Sequence, residues 1–330
     1  MLLTESGIFV DSLLIFVSAF LIDTVFGEFP DRIHPTVWIG KAVAYFKPKF
    51  KNENPRIEKV NGVLLCLLII LVVAVPVYCL LLGIRHFFGW IPYIIVAAVL
   101  FKTTFAAKCM RQYTVPIAMA LENNDVDKAR RGLYYIVRRD PNKLNEQQIA
   151  SAAVESIAES TTDGITSPFF FFALFGVPGA FAFRVINTLD SMIGYKDQEH
   201  MNIGWFSAKM DTIANYIPAR LTALLMVAAT ALLRENWRSS WRILQRDKTK
   251  TQSINAGWTM SAMAGALSIQ LEKPGHYALG DKGYISPAHI RRALRIMELT
   301  AILFGAAVIL PVLASKALCF LHIIPIRIKI

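Results

Sequence analysis

Three carboxylates recur at helical spacing in the middle of the chain: Glu155, Glu159 and Asp163 lie at positions i, i+4 and i+8. A helix places such residues along one face, where like charges repel unless something positive compensates them. Two carboxylates together with phosphate oxygens are a usual way of holding Mg²⁺. The spacing therefore predicts a magnesium site at these three residues. The alternative is a solvated acidic face, or ion pairs with the nearby Arg138 and Arg139.

A second polar segment follows directly on an apolar run and combines Arg184, Asn187, Asp190 and Lys196. Ionisable residues at the edge of a membrane segment are costly to place there, and they indicate a functional role by default. We therefore take Asp190 and Lys196 as candidate catalytic residues, beside Glu159, and Arg184 and Asn187 as candidate ligand-binding residues. The alternative is interfacial anchoring, in which Lys196 reaches out to the lipid headgroups.

A third motif places Arg220 two residues after Pro218, and this proline disfavours regular helix at the residue before it. A guanidinium binds a phosphate or a carboxylate through two parallel hydrogen bonds. Arg220 is therefore a candidate phosphate ligand. An ion pair with Asp190 or Asp211 is equally compatible with the sequence.

Small residues recur every four positions at Gly257, Ser261 and Gly265. This spacing lets two helices approach closely, and we favour that structural explanation. The alternative is a flat wall for a bulky ligand, with Asn255 and Gly257 as binding residues.

Several well-known motifs are missing from the chain. It has no GxxxxGK[ST] phosphate loop, no GxGxxG fingerprint and no HExxH zinc motif, and it has no GxSxG nucleophile motif. Its six histidines are scattered without ligand spacing. The sequence therefore points away from P-loop nucleotide binding, zinc catalysis and serine hydrolysis.

The composition indicates a membrane protein. Of 330 residues, 55% are hydrophobic and only 18% are charged, against about 25% charged in soluble proteins. This balance excludes a disordered chain and a simple soluble enzyme. The net charge of +11 is then a topology signal, and we expect no nucleic-acid partner. No cysteines form a CxxC pair, and we expect all four to be free thiols: Cys66, Cys79, Cys109 and Cys319.

The apolar runs predict the number of membrane segments. A helix needs about 20 apolar residues to cross a bilayer. Three runs reach that length, residues 7–26, 62–84 and 299–324, the last interrupted by Lys316. A fourth run, 90–101, is short and needs residues 86–89 or 102–105 to reach across. The runs 164–183 and 221–233 are interrupted by, or entered through, proline and glycine, so we expect re-entrant or discontinuous helices there. The expected fold is an all-α polytopic integral membrane protein with about four to six membrane segments, some re-entrant or broken, plus cytoplasmic helices.

Lysine and arginine concentrate in three polar segments, residues 28–60, 102–163 and 234–295. Cytoplasmic loops carry such an excess, so we expect these segments in the cytoplasm and the N-terminus outside.

The chain shows no repeat and no low-complexity tract, and we expect a single membrane domain over residues 1–330. Within it, residues 106–163 form a cytoplasmic helical segment with helices at 120–139 and 144–160. Residues 234–295 form a second such segment, which contains the small-residue helix.

Six stretches, taken together and in order, resemble the adenosylcobinamide-phosphate synthase family of cobalamin biosynthesis (the CobD/CbiB family). They are GEFPDRIHPTVWIGK (27–41), RRDPNKL (138–144), AAVESIAESTTDG (152–164), GVPGAFAFRVINTLDSMIGYK (176–196), NYIPARLTALL (215–225) and NAGWTMSAMAGAL (255–267). The longest of these stretches are specific, so chance is a poor explanation of the resemblance.

The resemblance implies an enzyme of the cell membrane whose site is reached from the cytoplasm. It would join a corrinoid, adenosylcobyric acid, to (R)-1-amino-2-propanol O-phosphate, or to aminopropanol, through an amide bond. ATP would be the co-substrate and Mg²⁺ the metal. Membrane lipid, other late enzymes of the pathway and a second copy of the chain are candidate partners.

Residue chemistry and motif position suggest how the candidate residues would serve that reaction. Glu155, Glu159 and Asp163 would hold Mg²⁺, while Asp190 would take the proton of the amine or hold a second metal. Phosphates would bind Arg184, Lys196 and Arg220, and the helix around Gly257 would face the corrin.

The sequence departs from the family pattern at a few positions. Ser160 stands where the family usually has asparagine, and Thr212 stands where a second aspartate is common. Two other classes of function remain open. One is a non-catalytic membrane sensor or signalling relative of the same fold. The other is a transporter, because broken helices near the bilayer midplane often mark substrate sites.

Overall fold

The computed structural model describes residues 5–323, with the side chains of residues 9–316 and 318. The described chain is almost entirely helical. Its α-helices are Glu5–Phe26 (α1), Pro35–Phe50 (α2), Pro55–Phe88 (α3), Trp90–Lys102 (α4), Ala107–Glu122 (α5), Val126–Leu133 (α6), Glu146–Ser160 (α7), Ser167–Ile193 (α8), Trp205–Ala214 (α9), Tyr216–Leu232 (α10), Trp237–Asp247 (α11), Ala256–Leu267 (α12), Pro287–Phe304 (α13) and Leu310–Ile323 (α14). A 3₁₀ turn at Pro141–Lys143 and π-helical turns at Thr161–Thr166 and Gly305–Ile309 lie between them. The strands Leu271–Lys273 (β1) and Tyr277–Leu279 (β2) form an antiparallel hairpin.

Five helical stretches of the described chain are long and apolar enough to cross a membrane: Phe9–Phe26, Pro55–Phe88, Trp90–Glu122, Glu146–Ile193 and Pro287–Lys316. The helices α9 and α10 make a sixth segment, bent by 42° at the break between them. The prediction of an all-α polytopic membrane protein is confirmed. Cys66 and Cys79 carry free thiols, as expected, whereas the side chain of Cys319 lies outside the described residues.

The described chain forms two compact units, each assembled from segments that are distant in sequence. Unit 1 comprises Met1–Phe105, Pro168–Asp211 and Gly305–Ile330, and unit 2 comprises Ala106–Ser167 and Thr212–Phe304. Unit 2 contains both helical segments that the sequence predicts, 106–163 and 234–295. The composition of the sequence does not mark the boundaries of the two units, because each unit arises from packing between distant segments.

In unit 1 the helix α1 is tied to its neighbours through two buried carboxylates. Asp11 accepts hydrogen bonds from Arg85 at 2.9 Å and from the indole of Trp90 at 2.5 Å. Near the other end of α1, Asp23 lies 3.3 Å from the ammonium of Lys102. Charged side chains are tolerated in such apolar surroundings when they pair with one another. The pairs therefore set the position of α1 against α3 and α4.

The prediction of a broken helix at residues 164–183 is confirmed, although the break is local. Helix runs continuously from Glu146 to Ile193, apart from a π-helical turn and one non-helical residue, Gly176, at φ 69° and ψ −162°. Glycine tolerates that backbone conformation because it has no Cβ. The run 221–233 lies in α10, which follows a bend at Asn215 and is therefore also part of a discontinuous pair.

The predicted helix at 120–139 is wrong, because the chain turns twice within it. Helix α5 ends at Glu122, Asn124 adopts a positive φ of 56°, and Asp125 caps α6 by accepting a hydrogen bond from the backbone of Lys128. Asparagine and aspartate favour such turns and caps over helix interiors. The helix predicted at 144–160 does form, and it begins at a capping box of Asn145 and Gln148.

In unit 2 the small residues of α12 face the backbone of α11. A Cβ added at Gly265 would lie 2.5 Å from the carbonyl oxygen of Ser239, and one added at Gly257 would overlap the carbonyl of Lys248. The favoured explanation, close helix packing, is confirmed. The alternative, in which the helix around Gly257 forms a wall for a bulky ligand, stays a prediction.

Gly265→Ala tests this packing. The added methyl group must push α11 away from α12, so we expect a loss of about 1–3 kcal/mol of stability, measured by thermal unfolding of the purified protein in detergent. Gly83→Ala is the matched control, since a Cβ at Gly83 meets no atom within 4 Å. Equal unfolding temperatures for the two variants would contradict the close contact.

Candidate functional site

Glu155 is the centre of a buried polar cluster in unit 2. Its Oε1 accepts hydrogen bonds from Arg139 at 3.1 Å and from Ser151 at 2.9 Å, and its Oε2 accepts one from Tyr277 at 2.8 Å. Arg139 and Ser151 also bond to the backbone of Glu272, so that α7 is joined to the β-hairpin. Both oxygens of Glu155 are thus occupied by protein partners.

Tyr277 remains a hydrogen-bond donor to this cluster over the whole physiological range. Burial, together with the charge of Glu155, raises the pKa of the Tyr277 hydroxyl far above its ordinary value. Of the alternatives to a metal site, the ion pair with Arg139 is the one that Glu155 makes, at 3.1 Å. The metal role of Glu155 stays a prediction.

Glu159 and Asp163 differ from Glu155 in their surroundings. Glu159 is exposed and Asp163 is half-buried, and Asp163 lies inside the π-helical turn. Turns of this kind occur mostly inside α-helices and are frequent at functional sites. Among the described residues no group of three or more histidine, cysteine, aspartate or glutamate side chains is placed to hold a metal ion. The metal role of Glu159 and Asp163, which would need phosphate oxygens as further ligands, stays a prediction.

The candidates of residues 184–196 lie on and just beyond the second half of α8, in unit 1. Arg184 donates to the side chain of Asn187 at 3.2 Å, and Asn187 donates to Asp211 at 3.2 Å. Asp190 is half-buried one turn further along the helix, and Lys196 is exposed beyond its end. The structure thus joins Arg184 and Asn187 into one polar chain, with Asp190 on the same helix.

Arg220, Asn255 and Gly257 come together in unit 2, although 35 positions separate Arg220 from Asn255 in the chain. Arg220 donates to the side-chain oxygen of Asn255 at 3.2 Å, and its guanidinium lies over the rings of Tyr216 and Trp258. Gly257 is the second residue of α12, next to Trp258. Their ligand-binding role stays a prediction.

A further polar cluster, which our candidate set lacks, lies in unit 1 around Lys102. This lysine is fully buried, with its ammonium 3.3 Å from Asp23 and 2.9 Å from Glu28. The other oxygen of Glu28 lies 2.8 Å from Nε2 of His34, whose Nδ1 accepts a hydrogen bond from the backbone of Thr36. Nε2 of His34 therefore bears a hydrogen atom and donates a hydrogen bond to Glu28. The sequence feature that could have indicated this cluster is an aspartate within an apolar run, Asp23, followed by a loop rich in turn residues.

The electrostatics of Glu28 follow from these contacts. Burial acts to raise the pKa of its carboxyl, but the hydrogen bond from His34 and the charge of Lys102 outweigh burial and lower it. Glu28 is therefore ionised at neutral pH, and the cluster combines one ammonium with two carboxylates.

Comparison with known proteins gives the family. The family model described as CobD/Cbib protein matches residues 16–297, and so includes each of the clusters above. The chain belongs to the CobD/Cbib protein family. This confirms the resemblance that the sequence motifs indicate.

Similar relatives of this CobD/Cbib protein align over most of their length. A probable cobalamin biosynthesis protein CobD of Methanothermobacter thermautotrophicus is 42% identical over 88% of this chain and 94% of its own. The cobalamin biosynthesis protein CobD of Dehalococcoides mccartyi is 43% identical over 82% of this chain and 87% of its own. A probable CobD of Thermoplasma volcanium is 39% identical over 92% of this chain and 99% of its own. No solved structure matches the chain.

Lys102→Met tests the buried cluster of this CobD/Cbib protein. Removing the ammonium leaves the buried Asp23 and the half-buried Glu28 without their shared cation, and breaking a buried ion pair in this way costs about 3–5 kcal/mol. We expect a marked loss of monodisperse protein on size exclusion in detergent. Lys59→Met, at an exposed position of α3, should leave the yield unchanged. A parental yield for Lys102→Met would show that the cluster does not stabilise unit 1.

The lowered pKa of Glu28 predicts a pH dependence of stability. A carboxyl whose pKa is depressed by folding stabilises the folded state at pH values above its unfolded pKa, about 4.3. That contribution is lost as the pH falls through the folded pKa. The unfolding temperature of the parent should therefore exceed that of Glu28→Gln at pH 7, and the difference should shrink below about pH 4. A difference that stays constant with pH would contradict the ionised state of Glu28.

Proposed function

We propose that this CobD/Cbib protein is an ATP-dependent amide ligase of cobalamin biosynthesis. It would join adenosylcobyric acid to (R)-1-amino-2-propanol O-phosphate, or to aminopropanol, and release adenosylcobinamide phosphate or adenosylcobinamide. The observation that carries the proposal is the family match over residues 16–297, together with relatives whose names assign them to cobalamin biosynthesis. The order of the motifs along the chain, with their carboxylates and cations, supports the same reaction.

The chemistry sets the demands on the protein. A carboxylate does not react with an amine directly, because its oxygen is a poor leaving group. ATP supplies the activation: its terminal phosphoryl group, transferred to the carboxylate, leaves as phosphate when the amine nitrogen attacks the acyl carbon. The amine also loses a proton in forming the amide. The site must therefore neutralise phosphate charge, orient the amine and keep water from the activated acyl group.

Cationic side chains of the protein would neutralise the phosphate charge. Arg184 is oriented by Asn187, and Arg220 is oriented by Asn255. A guanidinium held in one direction binds a phosphate without first losing side-chain freedom. Lys196, on the exposed segment after α8, would add a mobile positive charge.

The carboxylates divide into two groups by their surroundings. Glu159 and Asp163 would hold Mg²⁺, because two carboxylates plus phosphate oxygens satisfy this ion. Glu155 would instead position the end of α7, since Arg139, Ser151 and Tyr277 occupy its oxygens. Asp190 would take the proton of the amine.

The membrane topology supports a site that is reached from the cytoplasm of the cell, where ATP is available. The segments 106–163 and 234–295, which are rich in lysine and arginine, belong to unit 2. Under the positive-inside rule such segments lie on the cytoplasmic side of the cell membrane.

An end-point assay tests the reaction. Purified protein in detergent is incubated with adenosylcobyric acid, aminopropanol phosphate or aminopropanol, ATP and Mg²⁺, and the product is identified by mass spectrometry. We expect an amide-linked product that is absent without ATP or with the metal chelated. Folded protein that makes no product with either amine would contradict the proposal and favour a non-catalytic relative or a transporter.

Glu159→Gln and Asp190→Asn test the assigned roles. Each variant keeps the shape of the side chain and removes its charge, and we expect the rate of product formation to fall about 100-fold, the scale of lost acid–base or metal assistance. Glu146→Gln is the matched control, an exposed carboxylate at the start of α7. Full activity in Glu159→Gln or Asp190→Asn would remove that residue from the mechanism.

A further inference from the structure

Arg220 is held in an unusually fixed position for a side chain that is partly exposed. The carbon of its guanidinium lies 3.3 Å from the centre of the Tyr216 ring and 4.8 Å from the centre of the Trp258 ring. Its Nη1 donates to the carbonyl of Tyr216 at 2.6 Å and to the side chain of Asn255 at 3.2 Å. Two rings and two acceptors therefore fix both the position and the plane of the guanidinium.

This arrangement leaves one edge of Arg220 for a ligand. The two hydrogen atoms of Nη1 are used, whereas no described residue of unit 2 accepts a hydrogen bond from Nε or Nη2. These two nitrogens form the edge through which a guanidinium binds the two oxygens of a carboxylate or phosphate in parallel. The two rings and two acceptors around Arg220 therefore hold this edge in a fixed direction.

A second cation lies against the same indole. The ammonium of Lys248, at the end of α11, is 4.7 Å from the centre of the Trp258 ring. Several charged residues of unit 2 have opposite partners, such as Arg246 with Asp247 and Asp281. Within the described part of unit 2, no carboxylate pairs with Arg220 or Lys248. Two like charges at one ring repel unless an anion lies near them.

Asn255 provides an independent indication that the position of Arg220 is maintained, because Asn255 contacts Arg220 in place of capping its own helix. It occupies the N-cap position of α12, where an asparagine side chain normally accepts a hydrogen bond from the first turn of its helix. Here it makes no such bond. It donates instead to the carbonyl of Thr212 at 2.9 Å and accepts from Arg220. The side chain of Asn255 therefore orients the guanidinium of Arg220 and leaves the first turn of α12 without a side-chain cap.

We propose that Arg220 and Lys248, packed on Trp258, form a binding site for the phosphate group of a phosphate monoester. A monoester carries close to two negative charges at neutral pH, which matches the two cations. Lys248 and Trp258 are new members of the ligand-binding set. The further step, that the monoester is the phosphorylated amine of the ligation, rests on the proposed function.

Equilibrium dialysis of the full-length protein in detergent tests the site, with radiolabelled O-phosphoethanolamine as the probe. We expect saturable binding in the parent, and dissociation constants about tenfold higher in Arg220→Gln and in Lys248→Gln, the scale of one charge-assisted contact. Excess unlabelled ethanolamine, which lacks the phosphate, should not displace the probe. Arg238→Gln is the matched control, because Arg238 also lies over a tryptophan, Trp237, and it should bind like the parent.

Three results would overturn the proposal: no saturable binding by the parent, unchanged dissociation constants in both variants, or displacement by ethanolamine. Displacement by phosphatidylglycerol in mixed micelles would assign the site to a lipid headgroup, and would overturn the monoester. Lys248→Gln keeps the test decisive if Arg220→Gln fails to fold, since Lys248 makes one side-chain hydrogen bond, to Gln245. The dialysis contains neither ATP nor corrinoid, so its outcome is independent of whether the amide ligation occurs.

Discussion

Charged side chains in the apolar part of a membrane protein must neutralise one another, because lipid chains cannot solvate them. In unit 1 this constraint determines how α1 is held. Asp11 pairs with Arg85 near one end of the helix, and Asp23 with Lys102 near the other. Lys102 also pairs with Glu28, and Glu28 in turn bonds to His34 at the cap of α2. One buried ammonium therefore links α1, α4 and the start of α2.

A related constraint acts on the backbone, whose polar groups also need partners inside a membrane. The chain meets it with long helices and places irregular backbone at few positions. The π-helical turn Thr161–Thr166 contains Asp163, and Gly176 breaks α8 before Arg184. The bend at Asn215 precedes Arg220 on α10. Each departure from regular helix is thus followed by, or contains, a candidate functional residue.

Unit 2 shows how the surroundings of a side chain fix its position. Glu155 accepts hydrogen bonds from Arg139, Ser151 and Tyr277, and so joins α7 to the hairpin. Arg220 is fixed by Tyr216, Trp258 and Asn255 through one nitrogen and the face of its guanidinium. Both residues stand in motifs that resemble those of the family, and they differ in how many of their polar atoms have partners within unit 2.

The amino-acid pattern alone predicts the fold class, the approximate set of membrane segments and the family. These depend on the local pattern of apolar residues and on the order of motifs along the chain. It also indicated Arg220, Asn255 and Gly257 as candidate ligand-binding residues, and the structure brings Arg220 and Asn255 into contact. The packing of the folded chain shows three things that the pattern does not: Glu155 pairs with Arg139, α11 packs against the glycines of α12, and Lys102 lies between two carboxylates. Those outcomes depend on contacts between residues far apart in the chain, and hydropathy and spacing carry no information about which distant side chains meet.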